Sequence, residues 1–123
     1  MFKRATHNHA LTFAVEQANA RKLSLVVYEG LKFYYPWASD RFHTYILEGI
    51  EEKRREFERL GIKYVFYLQK DDHSPKQTVA RIARDAALIV TDDFHCFIIP
   101  DHNRAIAAKA QIPVYAVDSN GVI

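Results

Sequence analysis

What most constrains the fold of this chain is the repeated alternation of segments with helical apolar spacing and short, almost unbroken apolar runs. Residues 7–21 place Leu11, Ala14, Val15 and Ala18 on one helical face, and the period switches at residues 23–28 to a run of strand length. Ser39 is positioned to cap a long second helix. Its apolar positions Phe42, Tyr45, Ile46, Ile50, Phe57 and Leu60 recur mostly at intervals of three and four, and Gly61 stops it. An aromatic and β-branched strand follows at 64–68. Ser74-Pro75 then reads as a cap followed by proline at the first position of a third helix, which runs to about residue 85. After a strand at 88–91, a loop ending at Pro100 leads to an alanine-rich helix over 102–110, and Pro113 precedes a last strand at 114–117. Strands that read as continuous apolar runs are buried on both sides. The expectation is therefore an α/β fold, a doubly wound, Rossmann-like parallel sheet with helices on both faces.

One irregularity qualifies this. A doubly wound domain opens on a strand that lies centrally in its sheet, whereas this chain opens on a helix, with too few residues before it for a strand and a loop. Either the sheet closes with four strands or the first strand is missing, and the expectation here is the second, a piece of something longer. Asp118-Ser119-Asn120-Gly121 agrees, reading as the turn that leaves a final strand. A sheet without its central strand would present unpaired backbone groups, so homo-oligomerisation through unpaired strands is expected.

At 123 residues the chain is one domain by length, able to bury a core without staples. With a single cysteine, Cys96, it has no internal disulfide, and no apolar run reaches bilayer length, which points to a reducing cytoplasmic setting and no membrane partner. A formal charge of +2 is too mild to mark a nucleic-acid face. The mixed-sign run Glu51-Glu52-Lys53-Arg54-Arg55-Glu56 reads as a solvated helix face.

Function is expected where the strand Leu88-Ile89-Val90-Thr91 runs into Asp92, Asp93 and Phe94, because ligands of parallel α/β sheets collect beyond the carboxyl ends of the strands. Asp92 and Asp93 can hydrogen-bond a ligand there or act as ordinary turn residues. Asn8 can bind a ligand or cap the first helix, with capping the expected role. Arg4 is an anion contact if the terminus is tethered. Glu29, placed at the exit of the strand over 23–28, joins the same edge. Phe33, Tyr34, Tyr35 and Trp37 form an aromatic cluster suited to stacking on a planar group or packing against another domain. The six histidines and Cys96 match no structural zinc spacing, and Cys96 reads as a small core residue, so no metal ligand and no catalytic residue is assigned.

Five segments, taken together in their order and spacing, resemble the amino-terminal antenna domain of DNA photolyases, most closely the class II deoxyribodipyrimidine photolyases. They are Arg4-Ala5-Thr6-His7-Asn8-His9-Ala10-Leu11, Trp37-Ala38-Ser39-Asp40-Arg41-Phe42-His43, Tyr45-Ile46-Leu47-Glu48-Gly49-Ile50, Thr91-Asp92-Asp93-Phe94-His95-Cys96-Phe97 and Val117-Asp118-Ser119-Asn120-Gly121. The family commonly has an acid where His7 stands and an aromatic where His9 stands, so no role carries over to those two. The resemblance implies light-driven splitting of cyclobutane pyrimidine dimers by a whole protein whose large helical domain carries FAD and meets damaged DNA. That flavin-binding domain has no counterpart in this sequence. This domain would contribute structure and an antenna chromophore, a deazaflavin or a folate, and would not be catalytic alone.

Two other classes compete. A free-standing nucleotide-binding α/β module fits the same fold, although Gly30, Gly49, Gly61 and Gly121 are scattered and form no phosphate loop. A hydrolase using Asp92 and Asp93 with a metal would require divalent-ion binding and ranks last.

Overall fold

A computed structural model describes residues 5–34, 38–71, 77–96 and 98–119. It contains α1 (His9–Arg21), β1 (Val26–Lys32), α2 (Asp40–Glu48), α3 (Ile50–Arg59), β2 (Lys63–Gln69), α4 (Thr78–Ile82) continued by a 3₁₀ turn (Ala83–Asp85), β3 (Ile89–Asp92), α5 (Ile99–Lys109) and β4 (Val114–Val117). The alternation read from the sequence is thus the alternation observed. The chain divides into two units, one continuous, Ser24–Lys76, and one assembled from Met1–Leu23 and Gln77–Ile123. Among the described residues the parallel strands pair as β1 with β2 and β3 with β4, one parallel ladder in each unit. Periodicity identifies strands but not partners, since pairing depends on segments far apart in sequence.

In the continuous unit, register puts Val27 beside Tyr64 and Glu29 beside Phe66. Because side chains alternate across a strand, Val27, Glu29 and Leu31 share one face with Tyr64 and Phe66. Helix α3 covers that face, its Phe57 ring stacked on Tyr64 with centroids 5.4 Å apart. Leu31, Ile46, Phe57, Ile62 and Tyr64 are buried here. On the opposite face the Tyr28 ring lies over Gly30, where a Cβ would stand 2.8 Å from the tyrosine hydroxyl.

The expected long second helix is two helices broken at Gly49. Its start is as expected, with the Ser39 hydroxyl accepting from the Phe42 amide, and so is its stop. Gly61 takes a left-handed φ of 70°, while the Gly61 amide donates to Glu58 and the Ile62 amide reaches back to the Phe57 carbonyl. Of the apolar positions counted toward that helix, Ile46 and Phe57 are buried, but Phe42, Tyr45 and Leu60 are exposed.

In the discontinuous unit, helices cover both faces of the β3–β4 ladder, and side-chain contacts prove it. Tyr115 of β4 meets Phe13 of α1 at 5.4 Å between ring centroids, and Val90 is the register partner of Tyr115. The next residue, Thr91, points to the other face, where its hydroxyl donates to the Asn103 Oδ1 of α5 at 3.0 Å. Pro100, expected to end a loop, sits in the first turn of α5, where its missing N–H is no loss. The third helix is shorter than expected, and its proposed cap Ser74-Pro75 lies outside the described residues. Among the described residues, no helix is long and apolar enough to cross a membrane.

Candidate functional site

The carboxyl end of the β3–β4 ladder gathers most of the residues singled out. The strand β3 extends one residue further than expected, so Asp92 is its last member and Asp93 the first beyond it. The Asp93 amide still donates to the Val117 carbonyl at 2.8 Å, which holds the two strand exits side by side. The Asn103 amide nitrogen donates to the Asp92 carbonyl at 3.0 Å, and Asn103 also accepts from Thr91. One side chain of α5 therefore fixes the last two residues of β3. The Asp93 carboxylate, half-exposed, faces the His95 ring at 3.6 Å, a separation at which a protonated imidazole would form an ion pair.

The start of α1 meets this edge. Asn8, extended at φ −126°, accepts from the Leu11 amide through its side chain at 3.0 Å, so the capping role is the one seen. Ser119, two residues past β4, is buried, and its hydroxyl takes the Ala10 amide at 3.4 Å. Two of the helix's otherwise orphaned first-turn donors are thus satisfied by residues of the site. Ser119 and Asn103 were not singled out in the sequence reading. The signal for Asn103 is a polar residue inside an alanine-rich helix, whereas Ser119 carries none beyond its place in a turn.

Phe94 stands half-buried directly beyond the two aspartates. Arg4 lies outside the described residues, as do Tyr35 and Trp37. Cys96, read as a core residue, is exposed, because the chain leaves the ladder at Asp93 instead of continuing inward.

Glu29 is placed differently from the expectation. The first strand runs over Val26–Lys32 and not over 23–28, which puts Glu29 in mid-strand and in the other unit. It is buried, and its Oε2 accepts from the Lys53 ammonium at 2.7 Å and from the Tyr64 hydroxyl at 2.8 Å. Lys53 accordingly is no part of a solvated run. Its neighbours Arg54 and Arg55 do pair with Glu51 on the outside, at 3.4 and 3.6 Å. Burial, then the hydrogen bond to Glu29 and that carboxylate's charge, push the Tyr64 hydroxyl well above its ordinary range. The triad neutralises a carboxylate inside the unit, an arrangement that supports packing more directly than ligand exchange.

The edge at Asp92 and Asp93 offers hydrogen-bond acceptors and an aromatic ring beside a helix start anchored by Asn8. Among the described residues, no group of three His, Cys, Asp or Glu side chains is placed to hold a metal ion.

No protein-family model matches the sequence. The chain is 33% identical over 120 residues to the deoxyribodipyrimidine photo-lyase of Methanothermobacter thermautotrophicus, an alignment covering 98% of this chain and 26% of that protein. It therefore spans about a quarter of the length of this curated relative. In three dimensions it resembles the universal stress protein of Archaeoglobus fulgidus, solved in complex with dAMP, with a TM-score of 0.61 at 20% identity over 96% of this chain and 92% of that one. A universal stress protein family member from Burkholderia pseudomallei aligns with a TM-score of 0.53, also at 20% identity, over 95% of this chain and 90% of that one. The sequence is similar to a photolyase, and the fold is the Rossmann-like α/β fold that the universal stress proteins share.

Proposed function

We propose that this chain is the amino-terminal α/β domain of a light-driven DNA-repair enzyme, a deoxyribodipyrimidine photolyase, which splits cyclobutane pyrimidine dimers by means of FAD held in a separate helical domain. One observation carries the reading: identity of one third to a photolyase, sustained over nearly the whole chain. The domain itself is structural and antenna-bearing. Asp92, Asp93, Phe94 and Asn8 are the residues that would hold a deazaflavin or folate at the exit of β3, with Asn8 also setting the start of α1, and Arg4, outside the described residues, is added from the sequence as an anion contact. When bound, such a group absorbs light and passes the energy on. The chain's own residues would hold and orient it through hydrogen bonds and ring stacking. Glu29 serves the interior of the other unit.

The test is the absorption spectrum and light-dependent dimer splitting of the product of the full genomic reading frame. Flavin bands with repair under near-ultraviolet light are expected. A colourless product from a frame that ends near Ile123 would overturn the reading.

A second reading is a nucleotide-binding module, favoured by the dAMP complex of the Archaeoglobus neighbour with the same fold. It predicts saturable binding of an adenine nucleotide that Asp92→Ala weakens, measured by calorimetry.

A further inference from the structure

Asn103 has a place in α5 that helix formation alone does not explain. It is the fifth residue of the helix, too far in to cap it, and asparagine is a poorer helix former than the alanines at 105, 107 and 108 on the same helix. Its side chain is half-buried and spans from α5 to β3, where it accepts from the Thr91 hydroxyl at 3.0 Å. That pair adds little net stability, because an apolar pair of the same shape would pack the same contact about as well. What an apolar side chain could not supply is the donor that Asn103 gives the Asp92 carbonyl at 3.0 Å.

The Asp92 carbonyl and the Asp93 amide belong to one planar peptide group and point in opposite directions from it. The amide donates to the Val117 carbonyl at 2.8 Å, and the carbonyl accepts from Asn103. The peptide plane between the two aspartates is therefore gripped at both ends, once by the backbone beside β4 and once by a side chain of α5. Only the second grip depends on which residue is present. A peptide group held at one end can pivot about the single bonds that flank it, and the pivot changes the direction of Asp93 relative to Asp92. By the alternation that turns Thr91 toward α5, Asp92 belongs to the face of the ladder that α1 covers, so the plane sits where the two faces meet the strand exit.

We propose that Asn103 is the positioning residue of the site at the exit of β3: by locking the Asp92–Asp93 peptide plane it fixes how the two carboxylates are presented to the N–H or O–H groups of a ligand. The inference rests on the reading given above, that this edge meets a ligand, and assigns the group that organises it in advance of binding.

The experiment titrates the product of the full reading frame by calorimetry with a deazaflavin, a folate and dAMP in turn, and follows urea denaturation of the same samples. Wild type is expected to bind at least one of the three, and Asp93→Ala to weaken that binding, which places the probe at this edge. Thr91→Val leaves the grip on the Asp92 carbonyl and should bind as wild type. Asn103→Leu should bind about tenfold more weakly, the loss expected when a freed peptide group spends about a tenth of its time in the competent orientation. The Thr91→Val, Asn103→Leu double variant replaces both partners by apolar groups of matching shape, so its urea midpoint should return to that of wild type while its affinity stays about tenfold low. Affinity that follows the urea midpoint across these variants, and returns in the double variant, overturns the positioning role and leaves the ligand site standing. A wild type that binds none of the three probes, or binding that Asp93→Ala leaves unchanged, overturns the ligand site, and the positioning role with it.

Discussion

The two units of the molecule divide the labour of burial and of chemistry unequally. The continuous unit buries Leu31, Ile46, Phe57, Ile62 and Tyr64 and neutralises Glu29 inside, whereas Ala14 is the one apolar residue of the other unit that is buried among the described residues. Yet it is that second, less buried unit that gathers Asn8, Asp92, Asp93 and Phe94. Its order comes from hydrogen bonds that tie ends together: Thr91 and Asp92 to Asn103, Asp93 to Val117, Ala10 to Ser119. Burial makes a region rigid at the cost of access. Hydrogen bonds at strand exits give local order and leave side chains within reach of solvent, as a binding edge needs.

That contrast is breakable by substitution. The largest effect is expected from Phe57→Ala, which removes a buried ring stacked on Tyr64 and should cost about 4 kcal/mol in urea denaturation followed by circular dichroism, with β1 and β2 amides losing exchange protection before those of β3 and β4. An equal loss in both ladders would show that the units unfold as one. Next is Lys53→Met, which leaves the Glu29 carboxylate buried without its cation and should cost about 3 kcal/mol; a cost near zero would mean that water reaches Glu29.

Tyr64→Phe sharpens the same point through pH. The hydroxyl holds its proton in the folded state beyond the value of about 10 at which the unfolded tyrosine loses it. The folded state therefore binds more protons in that range, and the stabilisation, complete below about pH 10, is lost as pH rises further. The variant should lose about 1 kcal/mol at neutral pH and show a shallower fall in urea midpoint between about pH 9 and about pH 11. An unchanged alkaline slope would refute the buried triad. The smallest effect belongs to the other unit, where Asn8→Ala removes only a cap and should cost about 1 kcal/mol, read as a matching drop in the urea midpoint.

The same contrast explains what could be read in advance. The last strand, the Asn8 and Ser39 caps and the Gly61 stop are local matters, settled by residues within a few positions of one another, and all three kinds were legible. Glu29 was not. A carboxylate in mid-strand looks like a strand exit until Lys53 and Tyr64, 24 and 35 positions away, are seen to donate to it. For the same reason Lys53 passed for one more charge in a solvated run, since nothing local separates it from Arg54 and Arg55. Gly49 divides a pattern that periodicity carried straight through, because apolar spacing on its two sides happens to keep phase. At the site, Asp92 and Asp93 were visible from their place after an apolar run, while Ser119 and Asn103, which fasten the edge, have meaning only once α1, β4 and α5 are brought together.

The discontinuity of the unit that carries the candidate site has a consequence in time. Helix α1, at 13 residues, is too short to hold its shape in water unaided, and the strands it packs on begin only at Ile89. During synthesis at roughly 5–20 residues per second it waits several seconds for them. Meanwhile the whole of Ser24–Lys76 emerges as an unbroken segment that already contains both strands of its own ladder. Helix α1, made before Ser24–Lys76, is therefore among the last of these elements to find its partners, and the edge that Asn8 anchors is completed only when residues around Ser119 arrive.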